Sequence, residues 1–308
     1  MPSLVATAVR VGRVMPGRRR RPGSPEPGRP HGPTLPLGRD PEGLTRWQAE
    51  WAQWRLDAMR PDDYRAVCAA LFDASPSDRS YLRRAIAAGH PAAAVLSLVA
   101  RLASEPPGWA AQRLRLVDDE PGPQRRFGVP IDQVDATTCG SAVLLVLDTW
   151  ADPLAAMALT TPEFDFLGFG YRFDQRQLAI HRQSNRLWPR VLGTSPWGMA
   201  GWLRRHAAGL GPYRVRLVDA DSADDIAAAV AEVDAALDLG DPVPLLVGAG
   251  VPRHYGLALG RDAGGWRVYD PGVAEVRVVP AETVREGKLA PLLGFDRLQA
   301  VLLPLRGP

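Results

Sequence analysis

Cys139 is the residue best suited to do chemistry. It follows a polar loop and precedes a predicted apolar helix. The segment reads Asp-Gln-Val-Asp-Ala-Thr-Thr-Cys-Gly-Ser-Ala over residues 132–142. N–H groups at a helix N-terminus carry partial positive charge, which favours the nucleophilic thiolate over the thiol. Gly140 allows the chain to turn tightly and leaves room beside the sulfur. This pattern predicts a nucleophilic cysteine.

Gln133 lies six residues before Cys139, in the same polar loop. Its side-chain amide could fold back toward the thiol and donate a hydrogen bond to a developing oxyanion. The backbone N–H of Cys139 would be the second donor. We therefore expect Gln133 to stabilise an oxyanion.

A nucleophilic cysteine needs a base, and His254 opens a predicted strand over residues 254–260. Asp270 ends the next predicted strand, after a turn at residues 261–265. Two antiparallel neighbours joined by that turn would bring both side chains to one end of the sheet, where the carboxylate can orient the imidazole. The other histidines are His31 in an Arg-rich segment, His90 in a turn that we expect to be exposed, and His181 and His206 in predicted helices.

Taken in order, three motifs resemble those of the C39 and C39-like cysteine peptidases, which have a papain-like fold. They are Gln-x5-Cys-Gly-Ser-Ala, His-Tyr-Gly-Leu-Ala-Leu-Gly and Val-Tyr-Asp-Pro-Gly, and the resemblance covers roughly residues 128–304. It implies a catalytic triad of Cys139, His254 and Asp270, with Gln133 at the oxyanion position. It also implies cleavage of a peptide or amide bond in a peptide or protein substrate, through an acyl-enzyme.

Two further segments bear on the resemblance. Residues 193–198, Gly-Thr-Ser-Pro-Trp-Gly, are similar to the segment that precedes a helix in the C39-like group. Thr138 departs from the pattern, since many members have an acidic residue just before the cysteine. The sequence leaves open an acyltransferase or deamidase of the same fold, and a catalytically inactive binding protein.

Charge is concentrated at one end of the 308-residue chain. Residues 1–40 hold eight arginines against two acids, a local charge of +6, so the remainder carries −3. Residues 1–42 are rich in Pro, Gly and Arg, and we expect them to be disordered and solvated. Contact of this segment with nucleic acid or anionic lipid is the alternative. It lacks the pattern of a signal peptide and no apolar run is long enough to span a bilayer, so we expect a cytoplasmic location.

Residues 43–308 divide into regions with different patterns of apolar residues. Apolar residues at helical spacing predict a helical region over residues 43–104, followed by a linker over 105–128. Helix starts at Pro61 and at Ser75-Pro76, with a break at Gly89-His-Pro91, divide this region into four helices. Residues 129–308 form the predicted hydrolase domain, with strands from residue 213 onward. Before them, helices are predicted over residues 140–150, 176–190 and 197–208. This order predicts an α+β fold, with helices on one side of a mainly antiparallel sheet. Residues 164–171 could shape a substrate groove, although we favour a core position for them. The oligomeric state is left open.

No cofactor or metal is expected. The two cysteines, Cys68 and Cys139, have no neighbouring ligands at the spacing of a zinc site, and no phosphate-binding glycine motif stands out. Cys68 lies on one face of a predicted helix, where we expect a small buried core residue.

Overall fold

A computed structural model of the chain describes residues 43–161, 168–185 and 193–305. The predicted tail over residues 1–42 therefore lies outside the described residues. The same holds for residues 164–167 of the possible groove segment, and for the end of a helix predicted over residues 176–190.

The helical region predicted over residues 43–104 contains four helices, as expected. Thr45 caps the first through a capping box with Gln48. Pro61 and Pro76 stand at the start of the second and third, where their missing N–H costs nothing. Gly89, with φ of 100°, ends the third helix in the left-handed conformation. The helices are α1 (Arg46–Asp57), α2 (Pro61–Asp73), α3 (Pro76–Ala88) and α4 (Ala92–Ser104).

The segment predicted as a linker contains regular structure. A short helix, α5 (Trp109–Arg113), is followed by β1 (Gly122–Pro123), which pairs with the main sheet at Val276 and Glu275. The next two strands, β2 (Arg125–Arg126) and β3 (Val129–Pro130), pair with each other. The end of this segment is therefore part of the sheet and leads directly into the loop before Cys139.

Among the described residues between 139 and 212, four α-helices precede the strand-rich half, together with a 3-10 turn over Ala208–Leu210. The second of them was not predicted, and the third begins eight residues before its predicted start. Phe169 of the possible groove segment is buried in the core, whereas Tyr171 is exposed. The helices are α6 (Cys139–Ala151), α7 (Pro153–Thr160), α8 (Gly168–Ser184) and α9 (Pro196–His206).

Within the described ranges, no individual helix is both long enough and apolar enough to cross a membrane. The pair α6 and α7 meets the length and composition test jointly, but it is bent by 114°.

The strands form the mainly antiparallel sheet that the sequence predicts. Among the described residues it has seven strands in the order β1-β8-β7-β6-β5-β9-β4, and every neighbouring pair is antiparallel. Its elements after residue 212 are β4 (Tyr213–Leu217), α10 (Ala223–Asp238), β5 (Val243–Gly248), β6 (Pro252–Asp262), β7 (Gly265–Asp270), β8 (Glu275–Val279), α11 (Ala281–Arg285), α12 (Ala290–Leu293) and β9 (Arg297–Pro304).

Helices cover both faces of this sheet, so the prediction of helices on one side was wrong. On one face, residues of α6, α8 and α9 form a core with Leu257 and Leu302. On the other, residues of α10, α11 and α12 form a second core with Val268 and Val301. The burial of β5 agrees with this arrangement. All six of its residues are buried, as expected for a strand that is covered on both faces.

Candidate active site

The β6–β7 hairpin brings His254 and Asp270 together. The strands pair Leu257 with Tyr269, and the same register continued outward places Gly272 opposite His254. Asp270 is then the diagonal neighbour of His254, within reach of a long side chain. The imidazole Nε2 and the carboxylate Oδ1 lie 2.7 Å apart, as a hydrogen bond.

The turn after Asp270 fixes its carboxylate. Oδ1 also accepts a hydrogen bond of 2.8 Å from the backbone N–H of Gly272, so one oxygen holds both the imidazole and the turn. A Cβ at Gly272 would lie 3.1 Å from this oxygen and 3.4 Å from His254 Cε1. Glycine therefore leaves room for the imidazole at this position, a role that the Asp-Pro-Gly pattern alone did not indicate.

Cys139 is the first residue of α6. Its thiol is close enough to His254 to raise the pKa of the imidazole. Because Nε2 faces Asp270, Nδ1 is the ring nitrogen left for the thiol. The three side chains are nearly enclosed, with Cys139 3%, His254 9% and Asp270 5% exposed.

The enclosure and the neighbours act on His254 in opposite directions. Burial is the largest single influence and disfavours the imidazolium. The hydrogen bonds to Asp270 and Cys139, with the charge of the thiolate, outweigh it and raise the pKa of His254 from 6.5 to about 9. The site therefore favours a protonated imidazole at neutral pH.

The N-terminus of α6 is uncapped by any described side chain. Thr138 occupies the capping position, but its hydroxyl exchanges hydrogen bonds with the backbone of Asp135, at 3.1 and 2.9 Å. In contrast, α9 and α10 are capped by Ser195 and Ser222. The first N–H groups of α6 are thus left for a negative charge at the sulfur or on a reacting oxygen.

Gln133 lies where the nucleophile loop meets the Asp270 turn. Its backbone N–H donates to the carbonyl of Pro271 at 2.9 Å, and its Nε2 donates to the carbonyl of Asp135 at 2.8 Å. The amide nitrogen carries two hydrogens, so one remains for another acceptor. The amide oxygen, Oε1, is buried and has no hydrogen-bond partner among the described residues.

Two long-range hydrogen bonds hold the chain just before Gln133. The hydroxyl of Tyr269 donates to the carbonyl of Ile131 at 2.6 Å. Nε2 of Gln177, on α8, donates to the carbonyl of Asp132 at 2.8 Å. The loop is therefore fixed from the sheet and from a helix.

A buried polar cluster behind Cys139 was not predicted. The ring nitrogen Nδ1 of His181 lies 3.3 Å from Ser141 Oγ and 3.1 Å from Asn185 Nδ2, and Asn185 contacts Thr194 at 3.2 Å. A Cβ at Gly140 would lie 2.9 Å from Thr194 Cβ, so residues 193–198 pack directly against the start of α6. His181 and Asn185 are four residues apart, about one helical turn. The sequence around them did not indicate that they face Ser141.

Tyr255 borders the same helix start. Its ring would lie 3.2 Å from a Cβ at Gly140, and its hydroxyl is buried without a partner. Burial, with a smaller effect of Cys139, raises the pKa of this hydroxyl well above its ordinary value. Tyr255 is therefore an uncharged residue that lines the site.

Two expectations outside the site need correction. Cys68, expected to be a small buried core residue, is half-buried and packs against the core of the helical region. His90, expected to be exposed, is half-buried because its Nε2 pairs with both oxygens of Asp152 at 2.8 Å. In the described part of the chain, no group of three or more His, Cys, Asp or Glu residues could hold a metal ion.

No protein-family model matches the chain. No curated protein and no solved structure shows significant similarity to it.

Proposed function

We propose that the part of the chain from residue 129 onward is a papain-like cysteine hydrolase that cleaves a peptide or amide bond. The observation that carries this proposal is the hydrogen bond between His254 and Asp270, close to Cys139 at an uncapped helix N-terminus. The resemblance of the three motifs to C39-like peptidases supports the same assignment.

The first half of the reaction forms an acyl-enzyme. The thiolate of Cys139 attacks the carbonyl carbon, and a C–S bond forms while the carbonyl electrons move to oxygen. The second N–H of Gln133 and the backbone N–H of Cys139 stabilise that oxyanion. As the C–N bond breaks, the imidazolium of His254 gives its Nδ1 proton to the leaving amine.

The second half regenerates the thiol. Neutral His254 takes a proton from a water molecule, which attacks the thioester carbonyl. Collapse of the oxyanion breaks the C–S bond, the acid leaves, and the proton on His254 restores the ion pair with the thiolate. Asp270 keeps Nδ1 directed at the sulfur throughout, because it holds the opposite nitrogen at 2.7 Å.

The pKa of His254, raised to about 9, suits this cycle. An imidazolium paired with a thiolate supplies the nucleophile and the proton donor together, before substrate arrives. An isolated histidine, with a pKa of about 6.5, would be mostly neutral at the same pH.

The test is the pH dependence of alkylation by iodoacetamide, followed at each cysteine by mass spectrometry. We expect rapid labelling of Cys139 at about pH 6, and much slower labelling in His254→Ala, because ordinary thiols react mainly near pH 8.5. Cys68→Ser is the control and should leave the labelling of Cys139 unchanged. Labelling of Cys139 that follows an ordinary thiol profile, and is indifferent to His254, would remove the hydrolase assignment.

A further inference from the structure

A surface cavity opens in the N-terminal helical region, away from the candidate active site. It has a volume of about 340 Å³, within the range of small-molecule sites. Its walls combine aromatic, aliphatic and charged groups. They are Trp54, Arg55, Ala58, Met59, Asp63, His90, Pro91 and Ala92.

Arg55 is the only one of the charged groups in this wall that lacks an opposite charge among the described residues. Its guanidinium lies 5.8 Å and 6.0 Å from the ring centroids of Trp51 and Trp54, and its Nε is buried without a hydrogen-bond acceptor. Burial lowers its pKa, and no carboxylate offsets that effect. A guanidinium held against indole rings is a preorganised partner for a planar anion.

The acids near the cavity are already engaged. Asp63 pairs with Arg60 at 3.0 Å, and Asp152 pairs with His90 at 2.8 Å. In addition, α4 begins at the cavity wall with Ala92 and has no side-chain cap, so its first N–H groups add positive potential. The cavity therefore offers an anion one guanidinium and one helix N-terminus.

We propose that this cavity binds a carboxylate attached to an apolar or aromatic body. The carboxylate contacts the guanidinium of Arg55, and the apolar body lies against Trp54, Met59 and Pro91. A free organic acid and the C-terminus of a peptide share this chemistry, and the experiment separates them.

Arg55 also has a structural contact that must be distinguished from binding. Its guanidinium packs on Gly89 at the end of α3, where a Cβ would lie 3.0 Å from Cζ. A cation at a helix C-terminus is stabilising without any ligand. A purely structural role predicts that Arg55→Gln lowers the melting temperature while the protein binds no carboxylate.

The test is isothermal titration calorimetry of the full chain with N-acetylphenylalanine, and with its uncharged amide, up to about 10 mM. We expect saturable binding of the acid that is at least about tenfold tighter than that of the amide, because the ionic hydrogen bonds are lost in the amide. A parallel titration uses acetyl-Gly-Gly-Phe with a free or an amidated C-terminus. Binding of the tripeptide acid alone identifies a peptide C-terminus as the ligand, and binding of both acids identifies any small carboxylate.

Two variants and one control complete the test. Arg55→Gln removes the charge, and Ala58→Phe, at an exposed position of the wall, fills the cavity while keeping Arg55. Each should weaken binding of the acid at least about tenfold, whereas Arg65→Gln, an exposed arginine on α2, should not. Absence of saturable binding, equal binding of acid and amide, or binding unaffected by Ala58→Phe would overturn the proposal, even where Arg55→Gln fails to fold.

Discussion

The backbone N–H of Gln133 donates a hydrogen bond of 2.9 Å to the carbonyl of Pro271, which joins the loop before Cys139 to the turn after Asp270. The two loops come from distant parts of the sequence and carry the candidate nucleophile and the residue that orients the base. Because the bond is between main-chain groups, it is independent of the side chains to which the chemistry is assigned. Side-chain variants at Gln133 and Asp270 can therefore test function without removing this link.

Removal of the Gln133 amide separates oxyanion stabilisation from nucleophile activation. We expect Gln133→Ala to lower turnover of an activated ester such as p-nitrophenyl acetate by about 100-fold or more, as loss of one oxyanion donor does elsewhere. Iodoacetamide labelling of Cys139 should keep its rate, because displacement at a saturated carbon forms no oxyanion. Gln112→Ala, at an exposed position, is the control. Equal losses in turnover and labelling would contradict the assigned role.

Asp270→Asn keeps a side chain of the same shape and removes its charge. Burial then acts on His254 with less opposition, so its pKa should fall from about 9 toward the ordinary value. Each unit of that fall weakens the thiolate–imidazolium pair about tenfold, so labelling of Cys139 near neutral pH should slow by at least that factor. The check is the pH profile of alkylation beside Asp262→Asn, a half-exposed acid on the same hairpin. Identical profiles for the two variants would rule out an orienting carboxylate.

The protonation of His254 should appear in stability as well as in reactivity. Because its folded pKa is raised from 6.5 to about 9, the folded state holds the proton more tightly than the unfolded state. The resulting stability is fully present below pH 6.5 and is lost as the pH rises through about 9. We expect the difference in unfolding free energy between the wild type and His254→Asn to shrink by up to about 3 kcal/mol over this interval. Urea denaturation at both ends of the interval measures it, and a constant difference would contradict the shift.

Gly140 and Gly170 offer a matched pair of helical glycines. A Cβ at Gly140 would lie 2.9 Å from Thr194 and 3.2 Å from the ring of Tyr255, whereas a Cβ at Gly170 would make ordinary contacts of 3.4 and 3.5 Å with Val129. We expect Gly140→Ala to destabilise the fold by about 1–3 kcal/mol through overpacking. Gly170→Ala should be neutral or stabilising, because alanine favours a helix. Urea denaturation of both variants decides the matter, and equal stabilities would mean that Thr194 moves aside freely.

Local patterns predicted the parts of the fold that depend on local order. Alternation and turn residues placed the hairpin of β6 and β7 within a few residues of its observed bounds. The proximity of His254 and Asp270 followed from that hairpin alone, before any coordinates. Helix starts at Pro61 and Pro76 were likewise predictable, since proline there satisfies a local requirement.

Features that depend on packing across the chain were not predictable in the same way. A strand buried on both faces, such as β5, differs in sequence from a half-buried strand only by a continuous apolar run. Such a run does not indicate which helix covers the second face, where α10 lies. The contact of His181 with Ser141 joins the interiors of two helices, and neither sequence neighbourhood marks it. The hydrogen bond from Gln133 to Pro271 involves only main-chain atoms, which leave no trace in residue types.

The place of β9 in the sheet has a consequence for the timing of protein synthesis. In the described sheet, β9 lies between β5 and β4, and β5 in turn pairs with β6, the strand that carries His254. Until residues 297–304 have left the ribosome, β5 lacks one of its two neighbours and β4 lacks its partner. We therefore expect a nascent chain that ends before Arg297 to hold its thiol and imidazole apart. The chemistry proposed for Cys139 would then begin only after translation has passed β9.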